Sequence, residues 1–368
     1  APKRWIKGSV VSPSVIAGIV FNKYVSGTPL YRQEQELKRR KIDISRATMS
    51  NWLMKCGTLL EPLYVQMQED IRKQTHIHMD ETTVVVLEDK QTTGRKKSYM
   101  WVVESGKHEK QQIAWYQYHE TREYDIAKEI IGADYTGSIH CDGYEAYHKF
   151  EHAKAIGCMA HVRRKFVEAL EVSPIHKDTK KLNQKQIAQL CKDNPSYGNI
   201  QHVLNEISYL FHCESKYQKE GYTIEEIKQQ RQGEQKPRID ELFKCLDEYE
   251  SQYSIKSKMG VAIQYAKNQK KYIRAYLDDG ATEISNNRGE RAVKPFVTGR
   301  KAWLFSNTKS GANMSSIYYS LIESAKLNNL DIHNYIEYVL EVIQNDETID
   351  IQTLLPYSPT LPQQLKIK

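Results

Sequence analysis

The sequence predicts a mixed α/β protein: a sheet with helices packed on it, interrupted by an all-helical insertion and preceded by a helical segment. Three observations predict this class. From about residue 75, stretches rich in β-branched and aromatic residues alternate in polarity and are bounded by polar turns. Further short strand patterns then alternate with amphipathic helical ones. Between residues 172 and 280 the β signal stops, while helical periodicity continues with Lys, Gln and Glu on the polar faces.

The N-terminal segment, residues 1–72, reads as helical. In "PLYRQEQELKRRKIDISRATMSNWLMKCGTLL", Pro29 can open a first helix running to about Arg40. Ile42, Asp43 and Ile44 make a turn, and Ser45 can cap a second helix running to about Cys56. Leu37, Ile42, Ile44, Met49, Trp52 and Leu53 can form a small core between them. The outline fits a helix-turn-helix that would bind DNA through residues such as Arg46, and it fits a plain helical hairpin equally well.

Residues 73–171 carry the first part of a sheet-based core. "HIHMDETTVVVL", "KSYMWVVES" and "KQQIAWYQYHE" read as strands, with polar turns containing Gly94, Gly106 and Lys107 between them. "TREYDIAKEIIG" is an amphipathic helix ended by Gly132. "GSIHCDGY" and "AIGCMAH" read as short strands, and "VRRKFVEAL" begins a helix. The helical insertion spans 172–280. The core resumes over 281–345, with "ISNNRGERAV" at the start of one helix and two closing helices, "GANMSSIYYSLIESAKLNN" and "DIHNYIEYVLEVI". Residues 346–368 are proline-rich and read as an extended tail.

Composition narrows the class of function. No stretch approaches 18 uncharged apolar residues, so no membrane span is expected, and Ser9 to Val20 lacks the layout of a signal peptide. Cys56, Cys141, Cys158, Cys191, Cys213 and Cys245 are scattered, with no C-x-x-C pair. That pattern predicts reduced thiols in a cytoplasmic protein and no zinc ribbon within this sequence. The formal net charge of +7 suits a polyanionic partner such as DNA.

Three carboxylates are candidates for chemistry. Asp80 lies in the first strand, where alternation puts His78, Asp80 and Thr82 on one face and turns Glu81 away. Asp142 precedes Gly143 at a strand end, and Glu290 lies on a late helix. Such acids can converge into a hard-oxygen site of the kind Mg²⁺ prefers. Two ions about 3.5–4 Å apart can then serve the attacking and leaving oxygens of phosphoryl transfer. Isolated acids are more often caps or solvated residues. With Asn287 as N-cap, Glu290 falls at N3 as in a capping box, which accounts for the Asn-x-x-Glu spacing without any metal. Arg291 and Lys294, sharing a face with Asn287 and Glu290, suit a metal and a phosphate. The readings are compatible, because a cap can pre-organise a ligand.

Cations cluster at two further places. "GCMAHVRRKF" offers Cys158, His161, Arg163, Arg164 and Lys165. Cys-x-x-His could be half of a zinc site, but no second half is visible. The cations either meet phosphate or form a solvated helix face. "TGRKAWLFSNTKSGA" sets Arg300 and Lys301 beside Trp303 and Phe305, a pairing that suits nucleic acid or a core edge.

Six ordered blocks together resemble the transposases of the bacterial insertion sequence 66 family: "KYVSGTPLYRQEQELKRRKIDISRATMSNWL", "HMDETTVVVL", "CDGYEAY", "GCMAHVRRKF", "ISNNRGERAVKPFVTGRKAWLF" and "YYSLIESAKLNNLD". The NN-x-x-ER-A block is the most specific. The resemblance implies an RNase H-like DDE core with Asp80, Asp142 and Glu290 as the triad. It implies two Mg²⁺ ions, for which Mn²⁺ can substitute, and it implies strand cleavage and strand transfer at insertion-sequence ends. Cys158-x-x-His161 is similar to a C-x-x-H motif of several DDE transposases in which the histidine sits by the scissile phosphate. Expected partners are double-stranded DNA, as transposon ends and as target, a second copy of the protein or a higher oligomer, and accessory proteins of the element. The expected location is the bacterial cytoplasm, on the nucleoid when DNA is bound. Rival expectations are a metal-dependent nuclease without joining activity and a domesticated, non-catalytic DNA-binding protein. Family members carry a helical and zinc-ribbon region ahead of the point where "APKRWIKGSV" begins.

Overall fold

The structure, a computed structural model, describes residues 11–175, 179, 182–346 and 348–367. Residues 1–10, where the N-terminal segment and the stretch from Ser9 begin, lie outside it. The chain runs α1 (Pro13–Val20), α2 (Leu30–Arg39), α3 (Arg46–Arg72), β1 (His76–Val84), α4 (Leu87–Thr93), β2 (Ser98–Ser105), β3 (Ala114–His119) and α5 (Tyr124–Ile131). It continues through β4 (Ser138–His140), β5 (Lys154–Ile156), α6 (Met159–Glu171), α7 (Gln184–Asp193), α8 (Pro195–Glu220), α9 (Ile224–Gln230), α10 (Lys236–Glu250) and α11 (Lys258–Arg274). It closes with α12 (Asn287–Trp303), α13 (Lys309–Leu327) and α14 (Ile332–Asn345). Contacts group the chain into two units, residues 1–137 with 288–368, and residues 138–287. This grouping cuts across the five segments read from the sequence, because the chain leaves the first unit after α5 and returns to it only at α12.

In the first unit, β1, β2 and β3 form an antiparallel meander. Asp80 pairs with Val102 and Val102 with Tyr116, so these three share one face, while Glu81 and Trp101 occupy the other. Trp101, Val103 and Tyr116 are fully buried. β3 would be an edge with unpaired amides. Instead Ser316, Ser320 and Ser324, one helical turn apart on α13, accept from the N–H groups of Tyr118, Tyr116 and Ala114 at 2.9, 2.8 and 2.9 Å. A helix side chain thus takes the place of a neighbouring strand at every second residue.

Ser45 caps α3 as expected, its Oγ accepting from Thr48 N–H. The helix does not stop near Cys56, however, but continues through Pro62 to Arg72. Leu60, Leu63, Met67 and Ile71 are completely buried, and this packing outweighs the hydrogen bond that an internal proline removes. Tyr64 stacks on Trp115 at 5.0 Å. The expected small core is also corrected: Met49 and Leu53 are buried, but Ile42 is 44% exposed. The turn bearing Gly94 holds the short helix α4, which no apolar stripe announced. Its Asp89 is fully buried, receiving hydrogen bonds from Ser98 and Tyr118, with Lys309 Nζ 3.6 Å from Oδ1. The tail, expected to be extended, packs down in 3₁₀ turns. Leu354, Leu355, Leu361 and Leu365 are buried, and Tyr357 donates to Asp70 at 2.6 Å. Its prolines exclude regular helix and strand, but its leucines still leave water.

In the second unit, β4 and β5 pair in parallel. α6, α8, α10 and α11 close on one apolar core that includes Phe166, Val203, Ile207, Phe243 and Ile263. α9 and α10 are joined without a break by a π-helical turn, Arg231–Gln235. There Arg231 is 2% exposed and all its N–H groups are satisfied. It donates to both oxygens of Glu214 and to the carbonyls of Tyr276, Asp279 and Thr282.

Candidate functional site

In the first unit, β1 and α12 position two of the three candidate acids. Asp80 is half-buried on β1, and its Oδ1 accepts from Glu81 N–H at 2.8 Å. Glu81 is on the opposite face, as alternation requires, with Oε1 3.4 Å from Arg122 Nε. α12 crosses the face that bears Asp80. Near its start, Arg288 Nη1 lies 3.0 Å from Glu104 Oε1 on β2, with side chains only 15% and 9% exposed. Further on, the Tyr116 hydroxyl donates to Ala292 O. Near its end, Arg300 Nη1 donates to the hydroxyls of Thr82 and Thr83 at 3.3 and 3.0 Å. Gly289, Ala292, Val293, Phe296 and Gly299 form its buried side.

Glu290 stands in the first turn of this helix and is half-buried. An acid there is favoured by the helix dipole whatever else it does. Because α12 starts at Asn287, Asn286 stands at the cap position and Glu290 is the fourth residue of the helix. The expected box with Asn287 as N-cap and Glu290 at N3 is one residue out of step with that start. Arg291, Lys294 and Lys301 are exposed. Arg300 is instead drawn down onto β1, and burial lowers its pKa from the usual guanidinium value. Trp303 packs edge-on against Phe296 at 5.5 Å, whereas Phe305 is 43% exposed. Arg46, at the start of α3, is exposed and lies over the Tyr31 ring at 5.7 Å.

In the second unit, Asp142 follows β4, and its Oδ1 accepts from Tyr144 N–H at 2.8 Å. The loop is seated on α11 by Gly143, where a Cβ would lie 2.9 Å from the Tyr265 hydroxyl oxygen, so glycine permits the close approach. Burial raises the Tyr265 pKa, with the charges of Asp142, Cys158 and Cys141 adding to the rise and Arg164 opposing it. Burial likewise lowers the pKa of His148, against the pull of Asp142 and Glu145.

Cys158 stands at the position before α6 without a side-chain capping bond, and His161 stands in the first turn of the helix, half-buried. The segment that leads into α12 is laid along these elements. Glu283 N–H donates to His140 Nε2 at 2.8 Å, Met159 N–H to Ile284 O at 3.1 Å, and Asn286 N–H to Cys158 Sγ at 3.1 Å. This brings Asn287 beside Arg163 and Arg164, and the three line a cavity of about 470 Å³ with Ser208 and Phe211 of α8. Lys165 does not join them; it lies 3.7 Å from Glu168 on its own helix. Ser208 and Phe211 were missed in the sequence. They sit within an ordinary amphipathic helix, and nothing in their local pattern marks them.

This combination defines a class: a mixed α/β protein with one oriented aspartate on a sheet strand, another in the loop after a strand, and arginine-lined space suited to phosphate. The profile of the Transposase IS66 family matches residues 8–314, and that of the IS66 C-terminal element matches residues 320–357. The chain belongs to this family, and membership implies a role in DNA transposition. It is similar to uncharacterized protein y4jD of Sinorhizobium fredii (strain NBRC 101917 / NGR234), at 27% identity over 97% of this chain and 68% of that protein. It is also similar to uncharacterized protein y4qI of the same organism, at 26% identity over 97% of this chain and 64% of that protein. The chain thus spans about two thirds of the length of these relatives. No helix among the described residues is long and apolar enough to cross a membrane.

Proposed function

We propose that the protein cleaves DNA strands at the ends of an insertion sequence and joins them to target DNA, on an RNase H-like DDE core. The observation that supports this most is the course of α12: the helix bearing Glu290 is anchored across the sheet face that bears Asp80. Asp80, Asp142 and Glu290 would hold divalent metal. Their donor set fits, because it offers carboxylate oxygens alone and because main-chain N–H groups orient Asp80 Oδ1 and Asp142 Oδ1. Bound Mg²⁺, or Mn²⁺ in its place, would supply charge stabilisation to the attacking and leaving oxygens.

The chain's own groups would do the rest. Arg163, Arg164 and Asn287 seat a backbone phosphate in the cavity they share. His161 holds the scissile phosphate in position. Arg291 and Lys294, exposed beside Glu290, meet the neighbouring phosphates, as do Lys301 and Arg46. Arg300 supports β1 from its position on Thr82 and Thr83. Pairing of two transposon ends calls for two copies or a larger assembly, with accessory proteins of the element as further partners.

The test is Glu290→Gln, assayed on end-containing duplex in Mg²⁺ for cleavage and strand transfer. Glutamine keeps the shape and the acceptor oxygen, and the lost dipole benefit of the charge is worth about 0.3–1 kcal/mol, so the melting temperature should move little. Cleavage and joining should both fall by more than about 100-fold, since even the outer partners of metal ligands are worth roughly 10–100-fold. A well-folded variant with near-wild-type cleavage would reduce Glu290 to a helix-terminal acid and remove the third member of the site.

A further inference from the structure

A second cavity of the 138–287 unit, about 540 Å³ in volume, is used by nothing described so far. Four basic side chains line it: Lys154 of β5, Lys236 at the start of α10, and Lys271 and Arg274 at the end of α11. Glu151 and Asp278 are the acids on its lining. Two of the cations are already matched, Lys154 with Asp278 at 3.0 Å and Arg274 with Asp240. Lys236 and Lys271 make no ion pair among the described residues and are exposed. Among the described residues Glu151 is the one acid of the lining without a matched cation, so the two lysines outnumber it and the concave surface keeps a net positive charge, which favours an anion.

The cavity is also tied to the Asp142 loop. The turn of 3₁₀ helix that follows this loop, Glu145–Lys149, carries His148 into the lining. Its ring is stacked on Tyr272 at 3.6 Å, with 9° between the planes. The Lys271 ammonium is 5.8 Å from the centre of the same Tyr272 ring. His148 Nε2 is shielded from solvent and has no hydrogen-bond partner among the described residues. The floor is therefore a rigid aromatic stack with a polar atom on it, and the walls are cationic.

We propose that this cavity is a seat for DNA, taking backbone phosphodiester groups between Lys236 and Lys271 and holding the strand beside the Asp142 loop. The inference rests on the transposase reading and adds to it a contact surface distinct from the cavity of Arg163 and Arg164. The chemistry is that of a phosphodiester on a polymer. Lysines from three separate elements suit a charged backbone better than a single base, and a stack already closed on itself leaves neither of its facing surfaces for a base.

The experiment measures binding of end-containing duplex DNA across a salt series. It compares wild type, Lys236→Gln/Lys271→Gln, and a control that removes the same charge from exposed positions off the cavity, Lys185→Gln/Lys219→Gln. Two lost phosphate contacts should flatten the slope of log K against log salt by about 2, and lower affinity at 0.15 M salt by about 30-fold, at ~0.9 counterion per contact. The control should lose far less. Equal losses in both double variants would assign the effect to overall charge and overturn the proposal, and so would an unchanged slope in Lys236→Gln/Lys271→Gln. A wild-type protein that binds no DNA at any salt would overturn the transposase reading itself, so the two failures are distinct.

Discussion

Replacing Arg231 by Met should destabilise the protein more than any other single change in its helical region, and the structure sets the size. The guanidinium is 2% exposed and spends every donor: Nε and Nη2 on Glu214 at 2.8 and 2.6 Å, and Nη1 and Nη2 on the carbonyls of Tyr276, Asp279 and Thr282 at 3.0, 2.7 and 2.9 Å. Methionine fills much of the volume but donates nothing. Among the described residues, the Glu214 carboxylate, 12% exposed, would keep only the Gln235 amide at 2.7 Å. Removing one partner of a buried ion pair costs about 3–5 kcal/mol, chiefly because the other charge is left uncompensated. For a folding unit of this size that is a fall of roughly 6–20 °C in Tm. Urea denaturation supplies the free energy. The double variant Glu214→Gln/Arg231→Met should lose less than the sum of its parts, because the stranded charge is gone. The damage should also travel. Tyr276, Asp279 and Thr282 precede the segment whose Ile284 O accepts from Met159 N–H and whose Asn286 N–H reaches Cys158. Hydrogen exchange at Met159 and Asn286 should therefore quicken in Arg231→Met, while the amides of β1–β3 should not follow. A cost below about 1 kcal/mol would refute the reasoning, for it would mean that water replaces the guanidinium easily and that Arg231 is not a buried organiser.

Two other perturbations test the first unit. Ser320→Ala removes the hydroxyl that accepts from Tyr116 N–H and itself donates to Ser316 O at 2.7 Å; with Ser320 fully buried, the orphaned amide should cost about 1–3 kcal/mol of unfolding free energy in urea denaturation, and a neutral result would show that α13 protects the β3 edge by packing alone. Cys56 is fully buried, and burial pushes its thiol from 9.0 up to about 12, so the folded state favours the protonated form. That contribution to stability is complete below pH 9 and disappears as the pH rises from 9 towards 12. Alkylation mapped by mass spectrometry at pH 9 should accordingly miss Cys56 in the native protein and find it in urea, and equal labelling in both would contradict the burial.

How much of this could be read in advance depended on the range of the interactions. The strands β1, β2 and β3, the Ser45 cap and the Gly132 stop were legible, because β-rich runs between turns and helix caps are decided within a few residues. The continuation of α3 beyond Cys56 was not. Pro62 argues locally for a break, and only burial of Leu63, Met67 and Ile71 against distant parts of the unit overrides it. α4 was invisible for the same reason, since Asp89 is stabilised by Tyr118 and Lys309, well along the chain. The serines of α13 show their i, i+4 spacing in the sequence, yet nothing there says that the amides of β3 are their partners, some 200 positions earlier. At the candidate site the charged residues were legible and their surroundings were not. Arg163 and Arg164 stand out in any reading, but Phe211 and Ser208, which complete their cavity, look like any other residues of a long helix.

The anchoring of α12 shows how a candidate site residue can be placed by residues that do no chemistry. Arg288, Ala292 and Arg300 span twelve positions, or about 18 Å of helix. Each is bound to the meander: Arg288 to β2, Ala292 to β3 and Arg300 to β1. One anchor would leave the helix free to tilt and to roll, and two along its length would stop the tilt but leave rotation about the line between them. Three, attached to three strands, oppose both motions. The direction of Glu290 relative to Asp80 is then set by the sheet rather than by the loop that enters the helix. Residues such as Glu104, Tyr116 and Thr82 accordingly belong to the geometry of the candidate site as positioning residues, although they lie on the sheet beneath the helix and not beside Glu290 in the sequence. The same arrangement explains why Arg300, a surface cation by its sequence context, is drawn down onto β1. Toward the far end of α12 Arg300 Nη1 holds two hydroxyls of β1, in addition to the ring contact of Phe296 with Tyr319, and a lysine would hold them with one charge and no fixed plane.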